Sequence, residues 1–425
     1  MNFHSTVPIA PHRPPTESRY PKTITPATRT SAQRGIILAG FCAFVGFYAI
    51  QPLLPLFAQV FQAGKVAVSL TLTASTIGVA IAAPFAGRLA DFKGRRNIIT
   101  IAAILAALCN FFAAMSPGLY AFVFWRFVQG LITPGVFAIT VAYINDEWPP
   151  AKTGQAMGLY VMGTVLGGFA GRMFAGILAA HMNWRWVIAA VGALNLLAAL
   201  AVWAWLPPER NFIRATPAGS STRAVLAHMS NRRLLATYAV GFCVFFSMVA
   251  MFTYVTFHLA GPPFVLSTTA LGSIFCVYLV GVVITPICTR YIERFGHRAA
   301  LASAVGMGVS GVLLTLVGNL WVVLIGLCIC SSGVFISQAT SSSHIGAAAK
   351  DSRALAVGLY ASFYYLGGSA GSAIPGWLWN AGGWPACVAL VAFVQVVTVV
   401  IAWVWWPGKD RGEIHASESA LVGPG

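Results

Sequence analysis

Hydrophobic positions in this chain come in long unbroken blocks, not in the alternation of strands or the single stripe of surface helices. Read with a window of about 20 residues, the length that carries a helix across a hydrocarbon core, the blocks resolve into twelve apolar segments separated by short polar breaks. They begin near Gly35, Val68, Ile98, Leu119, Thr153 and Arg185, and again near Leu234, Thr268, Ala299, Leu320, Arg353 and Pro385. Glycine, alanine and serine recur inside them, as expected where helices pack closely in lipid. The pattern predicts an all-α polytopic membrane protein of twelve transmembrane helices.

Compared with itself at a shift of 200, the chain repeats. "GLYVMGTVLGGFAG" from Gly158 returns as "GLYASFYYLGGSAG" from Gly358, identical at eight of fourteen positions, and Trp184 returns as Trp384. At a shift of 202, Arg88, Asp91, Gly94 and Arg96 of "GRLADFKGRR" return as Arg290, Glu293, Gly296 and Arg298. The expected organisation is a disordered basic tail (1–34, with six prolines before Arg34), a six-helix half (35–206), a polar linker (207–233), a pseudo-symmetric six-helix half (234–406) and a second tail (407–425). Two parallel six-helix repeats are one of the architectures that permit alternating access, in which the halves rock about a central site.

Charge sharpens this picture. Only 8% of residues are charged and 58% are hydrophobic, against about a quarter charged in a soluble domain. The net charge of +16 is distributed asymmetrically: with the N-terminus inside, 22 of the 26 Lys and Arg fall on the inner side, Lys65 and Arg185 fall outside, and Arg126 and Arg172 lie within segments. That asymmetry places both termini in the cytoplasm. It also argues against nucleic acid, which would need a basic surface interleaved with exposed aromatics. All eight cysteines fall inside predicted spans, where they read as small packing residues; no disulfide, metal site or cofactor is expected. No HExxH, Walker or GxSxG pattern stands in a fitting context, so an enzyme is not expected. A channel would want a filter loop or a ring of charge, and the internal symmetry favours a monomer.

Inside the membrane three features carry candidate chemistry. Gly163, Gly167 and Gly171 recur every four residues and so share one helix face that can approach a neighbour; Gly367 and Gly371 repeat it. Arg126 and Arg172 are costly in lipid and must face a cavity or a partner, either substrate or backbone carbonyls and Gln129. Arg172 breaks the repeat, because Ser372 stands at its counterpart. All ten carboxylates lie in tails, loops or helix ends. A mid-membrane acid that could carry a proton is missing; His258 and His344 are poor substitutes.

These residues resemble the major facilitator superfamily. "GRLADFKGRR" looks like its signature loop between the second and third helices, "WRFVQGLITPG" (Trp125 to Gly135) its fourth-helix signature, and Thr289 to Arg298 the weaker second copy. "FYAIQPLLP", "MGLYVMGTVLGGFAGR", "NWRW" and "YYLGGSAG" look most like the YnfM-like, acriflavine-sensitivity group of bacterial inner-membrane exporters. The resemblance implies export of small organic compounds, with protons as the coupling ion. It also implies a latch formed by Gly87, Asp91, Gly94, Arg95, Glu293 and Arg298, with Arg95 pairing to Asp146 or Glu147. From the helices that line the centre in similar transporters, it implies a substrate pathway through Tyr48, Gln51, Arg126, Arg172, Tyr254, Gln338, Tyr364 and Tyr365. Two departures stand against simple proton antiport: the missing acid, and a fifth helix with no proline between Thr153 and Ala180. Two arginines without embedded acid favour neutral or anionic substrates, whereas likeness to a dye-exporting group favours cations.

Overall fold

In the computed structural model the described residues are 26–209, 222–348 and 353–406. The described side chains leave out those of 26–29, 87–93, 150, 222–224, 281–283, 285–291, 293, 346–348 and 353–354.

The described chain is helical. In order it forms α1 (Pro26–Tyr48), α2 (Leu54–Val60), α3 (Lys65–Lys93), α4 (Arg95–Ala114), α5 (Leu119–Ile132), α6 (Pro134–Glu147), α7 (Pro150–Ala179) and α8 (Trp184–Trp205). The remainder forms α9 (Thr222–Ser230), α10 (Arg232–Ala260), α11 (Thr268–Ser273), α12 (Val280–Leu314), α13 (Leu320–Ala348) and α14 (Arg353–Trp405). Ten helical stretches are long and apolar enough to cross a bilayer. One of these, within α14, is two crossings broken at Gly382 and Gly383. The eighth crossing starts at Thr268 and runs through α12 as far as Gly296, where a positive φ of 79° divides it from the ninth. The expected twelve crossings are therefore all present.

Proline explains the two interrupted crossings of the first half. Pro52 and Pro55 lack the N–H that would continue the ladder, and the chain passes from α1 through a 3-10 turn at Gln51–Leu53 into α2. Pro134 separates α5 from α6 in the same way. The tail differs from expectation: the chain is already helical at Pro26, well before Gly35. Hydropathy fades at Arg34, but after Pro26 no proline interrupts the polar turns, so the helix extends through them. The linker likewise contains a helix, α9.

Helix pairs recur between the halves. In the first, α7 packs on α1, α4 on α8 and α3 on α5; in the second, the corresponding pairs are α14 on α10, α12 on the last crossing of α14, and α12 on α13. The halves meet along two seams, α3 against α14 and α7 against α11 with the 3-10 segment Ile274–Leu279 that follows it.

Candidate functional site: two seams and the middle between them

At the Gly94 end of the bundle, the signature loop turns on a single residue. Gly94 has φ +80° and ψ 135° and joins α3 to α4, a conformation only glycine adopts without strain. Its counterpart Gly296 has nearly the same φ. Next to it, Arg95 Nη1 lies 2.6 Å from Asp146 Oδ2 at the end of α6, and Glu147 is buried beside them. Glu209, at the start of the linker, accepts the Arg96 backbone N–H at 3.2 Å, placing negative charge on the first turn of α4. Arg96 Nη2 donates to the carbonyl of Trp203 at 2.6 Å. Gly87, Asp91 and Glu293 lie on α3 and α12, with side chains outside the described residues; Arg298 is half-buried on α12.

The repeated glycines form ridges within each half. A methyl group at Gly163, Gly167 or Gly171 would come within 2.9, 2.7 and 2.8 Å of the α1 backbone at Ile37, Phe41 and Val45. At Gly367 and Gly371 it would meet the α10 backbone at Phe242 and Phe246, at 2.7 and 3.0 Å. These distances leave no room for a side chain, so each ridge clamps one helix pair.

Two sets of contacts join the halves toward the Lys65 end. Along the α3/α14 seam these are hydroxyls. Thr73 Oγ1 bonds Ser372 Oγ, Ser369 donates to Thr76 at 2.8 Å, and Ser69 lies 3.3 Å from the Tyr254 hydroxyl of α10. Tyr254 in turn donates to the Ser372 carbonyl at 2.8 Å. Lys65 caps the row at the rim, with its Nζ 5.0 Å from the Trp379 ring centre.

The α7 seam carries a cation instead. Arg172 is 1% exposed; its Nε donates to Gln51 Oε1 at 2.7 Å and its Nη1 to the Gly168 carbonyl at 2.7 Å. The guanidinium carbon lies 4.4 Å from the Tyr48 ring centre on its own half, and 4.5 and 4.9 Å from Phe275 and Tyr278 on the other. A 3-10 helix repeats every three residues, so the segment Ile274–Leu279 stacks Phe275 and Tyr278 on one face toward Arg172. Gln51 completes the crossing by donating to Thr253 of α10 at 3.4 Å.

Below the seams the middle of the bundle is aromatic. Phe44 stacks on Tyr48 and Phe137, Phe137 on Tyr365, and Tyr364 on Phe245 at 4.1 Å. The Phe137–Tyr365 stack joins the halves.

The expected pathway residues thus separate. Tyr48, Tyr364 and Tyr365 belong to the aromatic middle, and half-buried Gln338 stands on α13. Gln51, Arg172 and Tyr254 form the seams in this conformation. Arg126 serves α1: its Nη atoms donate to the carbonyls of Gly46, at 3.0 Å, and Phe47, and to Gln129 Oε1, bracing the helix just before its break. Carbonyls and Gln129 are the partners that the sequence offers as one alternative for Arg126. Three groups escape the sequence reading. The hydroxyls Ser69, Thr73 and Thr76 fall at i, i+4 and i+7 and share a face, a signal present in "SLTLTAST". Glu209 is one acid among several in loops, and the pairing of Phe275 with Tyr278 depends on a local 3-10 geometry without a sequence mark.

Two six-helix halves joined by polar seams around an aromatic middle define a secondary transporter of the membrane. The chain belongs to the Major Facilitator Superfamily, whose family description matches residues 36–343 and 263–421. It is 32% identical over 365 residues to the inner membrane transport protein YnfM of Escherichia coli, covering 85% of this chain and 87% of that one. It is 31% identical over 362 residues to the uncharacterized MFS-type transporter YybF of Bacillus subtilis, covering 85% and 90%. These relatives place it in the YnfM-like group. The fold is also similar to a bacterial homologue of the human lysosomal transporter Spinster in an inward-facing, occupied conformation (TM-score 0.69, 16% identity, 89% and 96% covered). It resembles the nucleoside transporter NupG as well (TM-score 0.70, 12% identity, 88% and 100% covered).

Proposed function

We propose that this chain exports small organic molecules across the bacterial cytoplasmic membrane by alternating access, as a monomer with both termini in the cytoplasm, in exchange for protons. The observation that carries the alternating-access reading is the meeting of two six-helix halves through hydroxyl and cation–aromatic contacts beside a shared aromatic middle. Seams of replaceable contacts toward the Lys65 end suit a molecule that closes and opens there as its halves rock. The excess of Lys and Arg at the Gly94 end favours putting that end in the cytoplasm. Aromatic walls with a few hydroxyls suit amphipathic organic substrates. Export and proton exchange rest on the likeness of the signature motifs to those of the acriflavine-sensitivity group.

A second reading, an importer or uncoupled facilitator of neutral or anionic solutes, is favoured by one observation. The carboxylates with described side chains, Asp146 and Glu147 at the end of α6 and Glu209 in the linker, stand at the Gly94 end and not in the middle of a span, where a proton-carrying group is usually found. Purified protein in vesicles with an interior pH dye separates the two. An imposed gradient of a transported compound drives opposite proton movement if antiport holds, and Asp91→Asn abolishes that movement if the latch is its route. Saturable flux without proton movement would establish the second reading.

A further inference from the structure

Arg172 is a buried cation with an unusual set of partners. Nε and Nη1 are hydrogen-bonded within its own half, leaving Nη2 without a hydrogen bond among the described residues. Its described partners are an amide, a backbone carbonyl and aromatic rings, with no carboxylate among them. Its charge is held by three ring faces, two of which belong to the opposite half. Cation–aromatic attraction is strong when desolvated but is weaker than pairing with an anion in the same low-dielectric surroundings. A free Nη2 beside the aromatic middle is therefore a place where an anionic group gains more than the rings supply.

The geometry assigns Arg172 as the specificity-determining residue of the pathway and organic anions with an aromatic body as the substrate class. The carboxylate or equivalent group takes Nη2 and neutralises the guanidinium. The rings Phe275 and Tyr278 then lose much of what binds them to α7, and the seam is free to part. A ligand shifts such an equilibrium only by binding one state better than the other; here the better-bound state is the one in which the anion has replaced the two rings of the opposite half. Gln51 and the Gly168 carbonyl keep the guanidinium oriented through the exchange. The inference rests on the transporter reading but not on its direction or on proton coupling.

The test is counterflow into vesicles containing the full chain, which needs neither an imposed direction nor a coupling ion. Three probes share one aromatic body: 1-naphthoate, 1-naphthamide and 1-naphthylmethylammonium. Wild-type protein is expected to exchange naphthoate saturably and at least tenfold faster than the amide or the ammonium. Arg172→Gln should erase that ratio, and Arg172→Lys should restore part of it. Phe275→Leu, which keeps the arginine and removes one ring, should leave the ratio intact while increasing reactivity of a Thr269→Cys reporter in the seam, on a Cys276→Ser background. A monodisperse Arg172→Gln protein that still prefers naphthoate overturns the assignment. So does wild-type protein that exchanges the amide or ammonium at least as fast as naphthoate, although transport itself would then stand. Exchange of none of the probes overturns the aromatic-anion class.

Discussion

The two seams occupy equivalent positions in the repeat, yet are built from opposite chemistry. Arg172 on α7 and Ser372 on α14 correspond at a shift of 200. Each is fully buried, and each faces the other half at the same level of the bundle. The serine joins a row of hydroxyls, each able to trade its partner for water or for its own helix carbonyl. The arginine sits among rings and has no such alternative. Interhelical hydrogen bonds in membranes average about 0.6 kcal/mol, whereas a desolvated cation–aromatic contact is worth about 2 kcal/mol. The hydroxyl seam is therefore a set of small, replaceable contacts, and the arginine seam adds to its hydrogen bonds Gln51–Thr253 and Thr269–Gly176 a stronger contact held by one side chain. Symmetry supplies the frame of the molecule, and the place where it is broken marks the specialised side.

Exchanging the chemistry tests this contrast most severely. Ser372→Arg places a cation where no described ring cage awaits it, and an uncompensated buried charge costs about 3–5 kcal/mol. We expect loss of monodisperse protein in detergent chromatography; a well-behaved variant would show that the seams are chemically interchangeable. Removing one ring with Tyr278→Leu should cost about 1–2 kcal/mol and raise alkylation of the Thr269→Cys reporter by roughly 5–30-fold. Thr73→Val in the hydroxyl seam should raise the same signal by only about threefold, the equivalent of one interhelical hydrogen bond. Equal effects of these two variants would erase the distinction. The smallest effect is expected from Asp146→Asn. Its ion pair with Arg95 lies at the Gly94 end and within the first half, so the reporter should not change and the melting temperature should move little.

Much of this architecture is legible in the residues alone. Block hydropathy gives twelve crossings because lipid leaves a spanning chain almost no choice but helix, and the four-residue spacing of Gly163, Gly167 and Gly171 announces a close approach. What hydropathy cannot register is a polar helix continuing beyond the membrane, hence the helical residues from Pro26 to Arg34. The site is legible in its residue types and less so in its partners. Arg172 stands out as an asymmetric buried charge. That its cage is assembled from Phe275 and Tyr278 follows from a 3-10 segment and from long-range packing, neither of which is written locally. Arg126 illustrates the converse: a buried arginine signals need, and only the break of α1 beside it reveals that the need is met by backbone carbonyls.

The glycine ridge gives the arginine seam mechanical reach. With no side chains between them, α7 and α1 are held backbone to backbone along Gly163, Gly167 and Gly171, and a rod so supported tilts without bending. The 30 residues of α7 make a lever about 45 Å long, with Arg172 near one tip and the Gly94 end of the bundle at the other. A tilt of about 10° over that length displaces the far tip by roughly 8 Å. An event no larger than the exchange of two rings for one anion is thereby amplified into a displacement wider than a side chain, and α1 is carried along with it.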